Sequence, residues 1–264
     1  MKDVTSAAPE ATSAAVHYRD VGEALVAAIV AIAENHQPSR HDFFRKLREL
    51  PREVAADPGL LGQIHLVYQA AMHATRAAVY MMPHLDSPAL RKRKLTIYVD
   101  DDGLPGGDTH HYQLTRAFRN LGAKCLLEDE EFGSAEDLSR HLDPDTARFA
   151  RLSAKLYARS LGPWCIVETM SDCWMRALAD SLAVHFPDVV NEPYFAECFS
   201  QGVEERHAEE ALEVTGMVLR RRPELYSETV ADARLMAEAL DGVWNRLARL
   251  VTAAELACRA RRAA

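Results

Sequence analysis

Glu204 and His207 stand three residues apart in a segment of helical apolar spacing, so a carboxylate and an imidazole share one helix face. Ser200, four residues before Glu204, falls on the same line, and Ala208 and Ala211 continue it as a seam of small residues. A second carboxylate, Glu168, sits in the apolar run Trp164-Cys165-Ile166-Val167-Glu168-Thr169-Met170. A charge there is costly unless a cation meets it. A metal ion would serve, as would a basic side chain such as Arg176, and Asp172 can ligate instead or accept from an imidazole N–H. A third group sets Asp100, Asp101 and Asp102 before a glycine break, with Asp108, His110 and His111 after it. Three distant segments thus carry donors suited to one or two iron-type ions. The structural alternatives are an acidic solvated face of Glu204, Glu205, Glu209 and Glu210 with His207 paired to one of them, and Asp108 as a helix cap.

Helices must position these groups. From Tyr18, Val21, Leu25, Ala28, Ile29 and Ile32 form one stripe that stops near His36 to Pro38. Ser39 can cap a shorter helix carrying Phe43, Phe44, Leu47 and Leu50, which ends at Pro51. The segment from Leu60 to about Met82 is apolar around most of its circumference, as a central bundle helix is, and holds His65 and His73. Ser87-Pro88 opens a helix through Leu95, Ile97 and Tyr98 to the acidic run, and Asp108 can cap the helix that bears His110, His111, Leu114 and Phe118. After a loop-rich passage at 128–144, the spacing predicts helices near 145–161, 163–186, 192–222 and 225–262. Strand patterning is nearly absent, so the expectation is an all-α bundle. Residues 1–14, rich in Ala, Ser and Thr, read as a disordered tail before a single domain over 15–264.

The 264 residues carry a net charge of −8 with 48% hydrophobic content. That offers no basic footprint for nucleic acid beyond Arg91-Lys92-Arg93-Lys94, which reads as a solvated helix face. Five cysteines, Cys125, Cys165, Cys173, Cys198 and Cys258, lack any paired spacing, which fits a reducing cytoplasm rather than a disulfide framework. Neither a membrane span nor a signal peptide is expected. The final helix, with Leu235, Leu240, Val243, Leu247 and Leu250, can pack on its own core or on a second subunit, and a homodimer is the expectation.

The pattern resembles the heme-oxygenase-like diiron oxidases and oxygenases, a seven-helix bundle fold shared with pyrroloquinoline quinone synthase and the TenA-type thiaminases. His41-Asp42-Phe43-Phe44-Arg45-Lys46-Leu47 is similar to the family's opening His-Pro-Phe segment. Asp101-Asp102-Gly103 through His111-Tyr112-Gln113-Leu114 to Leu121-Gly122 resembles its acid, glycine break and histidine helix, with aspartate replacing the usual glutamate. Asp100 or Asp102 can stand in for Asp101, and His110 for His111. Glu168 matches the family's second glutamate, and Ser200, Glu204 and His207 occupy its His-x-x-x-Asp-x-x-His pattern, with serine in place of the first histidine.

This resemblance implies an enzyme that binds one or two Fe(II) ions and activates O₂ on a small amine- or carboxylate-bearing metabolite, in secondary-metabolite biosynthesis. Asp101 and His111 would hold one ion, Glu204 and His207 the other, and Glu168 would bridge them. Tyr68, Met72, Phe118, Trp164, Met170, Trp174 and Phe199 are candidate pocket walls, with Tyr112 and Cys198 near the site. A metal-independent reading also stands: a cofactorless oxidase or thiaminase-like hydrolase in which His111, Glu168 and His207 transfer protons. A further one is a non-enzymatic scaffold or small-molecule carrier.

Overall fold

The structure, a computed structural model, describes residues 17–101, 108–125, 142–199 and 202–264. Every regular element among them is helical. In chain order they are α1 (His17–Asn35), α2 (Asp42–Glu49), α3 (Arg52–Ala55), α4 (Pro58–Thr75), α5 (Pro88–Asp101) and α6 (His110–Asn120), then α7 (Pro144–Arg159), α8 (Gly162–Ala183), α9 (Pro193–Cys198), α10 (Val203–Arg221) and α11 (Tyr226–Ala263). The expected tail at 1–14 lies outside the described residues. No helix among them is long and apolar enough to cross a membrane.

The core follows from two kinds of helix. α4 and α8 are apolar on nearly every side and are buried accordingly, from Leu60 to Ala71 and from Gly162 to Val167 with few breaks. α11 is amphipathic: Asp232, Met236, Leu240, Val243, Leu247 and Val251 point inward while Leu235 stays exposed. At 38 residues it runs about 57 Å along the bundle and packs against α1, α2, α4, α7 and α8. The crossing of α8 over α11 depends on Gly162, where a Cβ would run into the backbone carbonyl of Thr229.

Several local expectations are corrected. Ser39 lies within a 3₁₀ turn, Pro38–Arg40, and His41 is the cap of α2, its Nδ1 accepting from the Phe43 N–H at 3.3 Å. The helix expected to run to Met82 is α-helical only to Thr75 and then tightens into a 3₁₀ stretch, Arg76–His84, that contains Pro83. A proline ring cannot follow an α-helical turn without striking the carbonyl four residues back. Thr109, not Asp108, caps α6 by accepting from the Tyr112 N–H at 3.1 Å, while Asp108 pairs with Arg116. The helix expected over 192–222 is two, α9 and α10, because Gly202 takes a left-handed φ of 64° just before Val203. α10 begins at Val203, and Ser200, expected on its line, lies outside the described residues.

The basic run on α5 is a solvated face only in part: Lys92 is exposed, Arg91 and Arg93 are half-buried, and Lys94 is not on it. Arg93 grips both oxygens of Glu210 and also Glu213 on α10, which raises its pKa. The next residue, about 100° further round the helix, therefore points inward, and Lys94 is buried.

His65 on α4 is structural. Its Nε2 is 2.9 Å from Thr115 Oγ1 and its ring packs on Phe118. Burial, with smaller contributions from His111 and Arg119, pushes its pKa down to about 3. The unfolded chain takes up this proton below about pH 6.5 and the folded chain does not. Stability is therefore lost as pH falls from 6.5 toward 3. Between pH 6.5 and 5 the loss from this group is about 1.5 kcal/mol. His65→Gln should flatten the pH dependence of urea unfolding by that amount; parallel curves for the two proteins would refute it.

Candidate metal centre and its cavity

The centre is made where α8 and α10 run antiparallel. Cys165 Sγ donates to Thr215 Oγ1 at 3.1 Å and lies 3.6 Å from the Ala211 carbonyl, and burial pushes its pKa up to about 12. It is thus a neutral packing donor, not a thiolate. Three residues along α8 comes Glu168, and four and seven residues back along α10 from Ala211 come His207 and Glu204. The thiol contact and the small Ala211 set the separation at which these three side chains meet. One ligand atom from each lies within 4.8 Å of the other two, with Glu204 and His207 buried.

Two carboxylates and an imidazole are the donors that divalent iron, manganese or zinc takes. Bonds of about 2.1 Å put neighbouring ligand atoms about 3–4 Å apart. A spacing of up to 4.8 Å closes to that with small side-chain rotations. The donor set therefore fits a metal ion.

Glu168 is also met by two groups of the chain itself. Trp164 Nε1 donates to its Oε1 at 2.9 Å, and Lys94 Nζ stands 3.6 Å from the same oxygen. Arg176, the expected partner, instead pairs with Asp172 at 2.6 Å and lies over the Phe199 ring. Asp172 is thereby committed away from the centre. The Lys94 ammonium lies 4.6 Å from the Tyr98 ring centroid and 4.8 Å from that of Trp164, the geometry of cation–π contacts.

The centre opens on a cavity of about 90 Å³, where a single water needs roughly 10–15 Å³. Lys94, Glu168, Glu204, His110 and His111 supply its polar wall, and Tyr98, Tyr157, Trp174, Tyr194, Met72 and Met175 much of the rest. α6 is held there by its own backbone: the His111 carbonyl accepts from Gln69 Nε2 at 2.9 Å and from Thr115 Oγ1 at 3.1 Å. That fixes the Gln69 amide, whose buried Oε1 has no hydrogen-bond partner among the described residues. His110 meets Tyr194 edge to face, and the Tyr194 hydroxyl is 3.3 Å from that of Tyr68. Burial holds both phenols above their ordinary pKa, so they remain protonated.

The expected site residues thus divide. Glu168, Glu204 and His207 are brought together. His110 and His111 share the cavity with Glu168 and Glu204 without joining their ligand group. Asp101 is the last residue of α5, and its side chain, like that of Asp100, lies outside the described residues, as do Asp102 and Ser200. Met72 and Trp174 line the cavity. Tyr68 stands behind Tyr194, Trp164 holds Glu168, Phe118 packs on His65, Phe199 carries Arg176, and Met170 is core.

Sequence reasoning missed Lys94 and Gln69. The signal for Lys94 was its spacing from Leu90 and Ile97, which puts a lysine on the inward stripe of α5. No family model matches the sequence, and no curated protein shows significant similarity to it.

Proposed function

We propose that this chain is a non-heme iron enzyme that activates O₂ on a small metabolite, an oxidase or oxygenase of the heme-oxygenase-like seven-helix type serving secondary-metabolite biosynthesis. The observation that carries the reading is the meeting of Glu168, Glu204 and His207 at the wall of an aromatic and methionine-lined cavity. With three protein ligands, a bound ion would keep positions open to O₂ and substrate. Iron, when bound, would supply the electrons that O₂ needs.

The remaining work falls to the chain. Glu168, Glu204 and His207 would hold the ion, and Trp164 Nε1 fixes the Glu168 carboxylate by donating to its Oε1. Tyr98, Tyr157, Trp174 and Tyr194 line the space beside the centre and would limit the access of water. His110 and His111, which line the same cavity, are the groups that can exchange protons with a bound substrate.

A metal-free enzyme of the same fold is favoured by one observation, the buried pair of Lys94 and Glu168, since an ammonium already neutralises that carboxylate. Anaerobic titration of the apoprotein with Fe(II) separates the two. Stoichiometric iron, followed by a new absorbance band when O₂ is admitted, is the expected result. No bound iron would sink the metal reading and pass Glu168, His111 and His207 to proton transfer.

A further inference from the structure

Lys94 is an ammonium whose donors are unspent. Its side chain is 3% exposed, yet it makes no hydrogen bond within 3.5 Å among the described residues. Its partners are Glu168 Oε1, at 3.6 Å, and the faces of Tyr98 and Trp164. Glu168 Oε1 already accepts the shorter bond from Trp164. Ring faces attract a cation but neutralise no charge.

The charges on the cavity wall can be counted. Among the described residues, the charged groups on that wall apart from its histidines are Lys94, Glu168 and Glu204. Two carboxylates balance a divalent ion, and a ligating imidazole is neutral. Once a metal takes Glu168 and Glu204, the Lys94 ammonium is left, among the described residues of that wall, as one positive charge without a carboxylate to balance it. A buried charge without a partner is costly, and this one faces a space large enough for a small molecule.

We infer that Lys94 anchors a carboxylate of the substrate, so that the substrate class is a small monoanionic carboxylic acid, bound after the metal. The inference rests on the metal reading above. Metal releases Lys94 from Glu168, and the acid then supplies the anion that Lys94 has lost. By linkage, acid and metal each tighten the binding of the other.

The experiment is anaerobic calorimetry on the full chain, with iron content measured first. Propionate and benzoate, and the amide of each as a neutral counterpart, are titrated into Fe(II)-loaded protein and into apoprotein. The expected result is that at least one acid binds the loaded protein tenfold or more tighter than its amide, and tenfold tighter than it binds apoprotein. Lys94→Met should remove that preference and Lys94→Arg keep it, with amide affinity unchanged in both. Equal binding of acids and amides, or no acid binding at all, overturns the inference. So does a preference that survives in Lys94→Met, because the acid would then be ligating the metal directly. If the methionine variant does not fold, the neutral Lys94→Gln decides in its place: loss of the preference there supports the anchor, and a preference that survives rejects it. Loaded iron without acid preference rejects this inference alone; absence of iron rejects the metal reading and this inference together.

Discussion

His207→Ala should abolish stoichiometric Fe(II) binding while the fold survives, and Glu168→Ala should abolish it at a cost to the fold. Both remove one of three converging donors. Loss of groups that merely support a ligand weakens metal sites about 10- to 100-fold, so loss of a ligand itself should exceed about 100-fold. The stability effects differ because the neighbours differ. Glu168→Ala takes from the buried Lys94 ammonium the one carboxylate that lies within 4 Å of it among the described residues, at 3.6 Å. Breaking a buried pair by removing one partner costs about 3–5 kcal/mol. The double variant Glu168→Ala with Lys94→Met should regain most of that stability and still bind no iron. Metal content by elemental analysis and unfolding by denaturant give the two readouts. Iron content unchanged by both single variants would remove the centre from the site assigned to it.

How much of this was legible beforehand depended on which force decides each feature. The all-α class and the long helices follow from apolar periodicity, which the burial of α4, α8 and α11 reproduces. Glu168, Glu204 and His207 stood out because a carboxylate amid apolar neighbours and a Glu-x-x-His pair each need a partner. The break before α10 was less visible: Ala196, Phe199, Val203 and Ala211 keep apolar residues at helical intervals through it, and a single glycine with positive φ ends the run. Lys94 was hidden by composition. A run of four basic residues suggests solvent, yet only tertiary pairing decides which of them turns inward, and Glu210 and Glu213, well over a hundred residues away, claim Arg93. The exposed Leu95 and Val99 blurred the stripe that would have betrayed it. Cavity walls were legible only in part, since Met72 and Trp174 differ from Phe118 and Phe199 by packing partners that spacing does not encode.

The second large effect lies away from the centre, at the corner between α7 and α8, where Arg159→Met should destabilise the chain more than Asp232→Asn. Asp232 on α11 is fully buried and accepts from two nitrogens of Arg159 and from Ser160 Oγ at 2.8 Å. Hydrogen bonding to Asp232 raises the Arg159 pKa. The two partners are unequal in exposure, however: the guanidinium side chain is 47% exposed and the carboxylate 0%. Removing the carboxylate frees an arginine that water can solvate, whereas removing the arginine leaves a buried negative charge whose one remaining side-chain donor among the described residues is the Ser160 hydroxyl. The latter should cost about 3 kcal/mol, the low end for a broken buried pair because the exposed guanidinium is partly screened in the native state. Asp232→Asn keeps the serine bond and should cost about 1–2 kcal/mol. The double variant should then be more stable than Arg159→Met alone, since it carries no stranded charge. Urea unfolding of the three variants tests the order. A double variant no more stable than Arg159→Met would mean that the corner is held by packing around Gly162 and Thr229 rather than by the charge on Asp232.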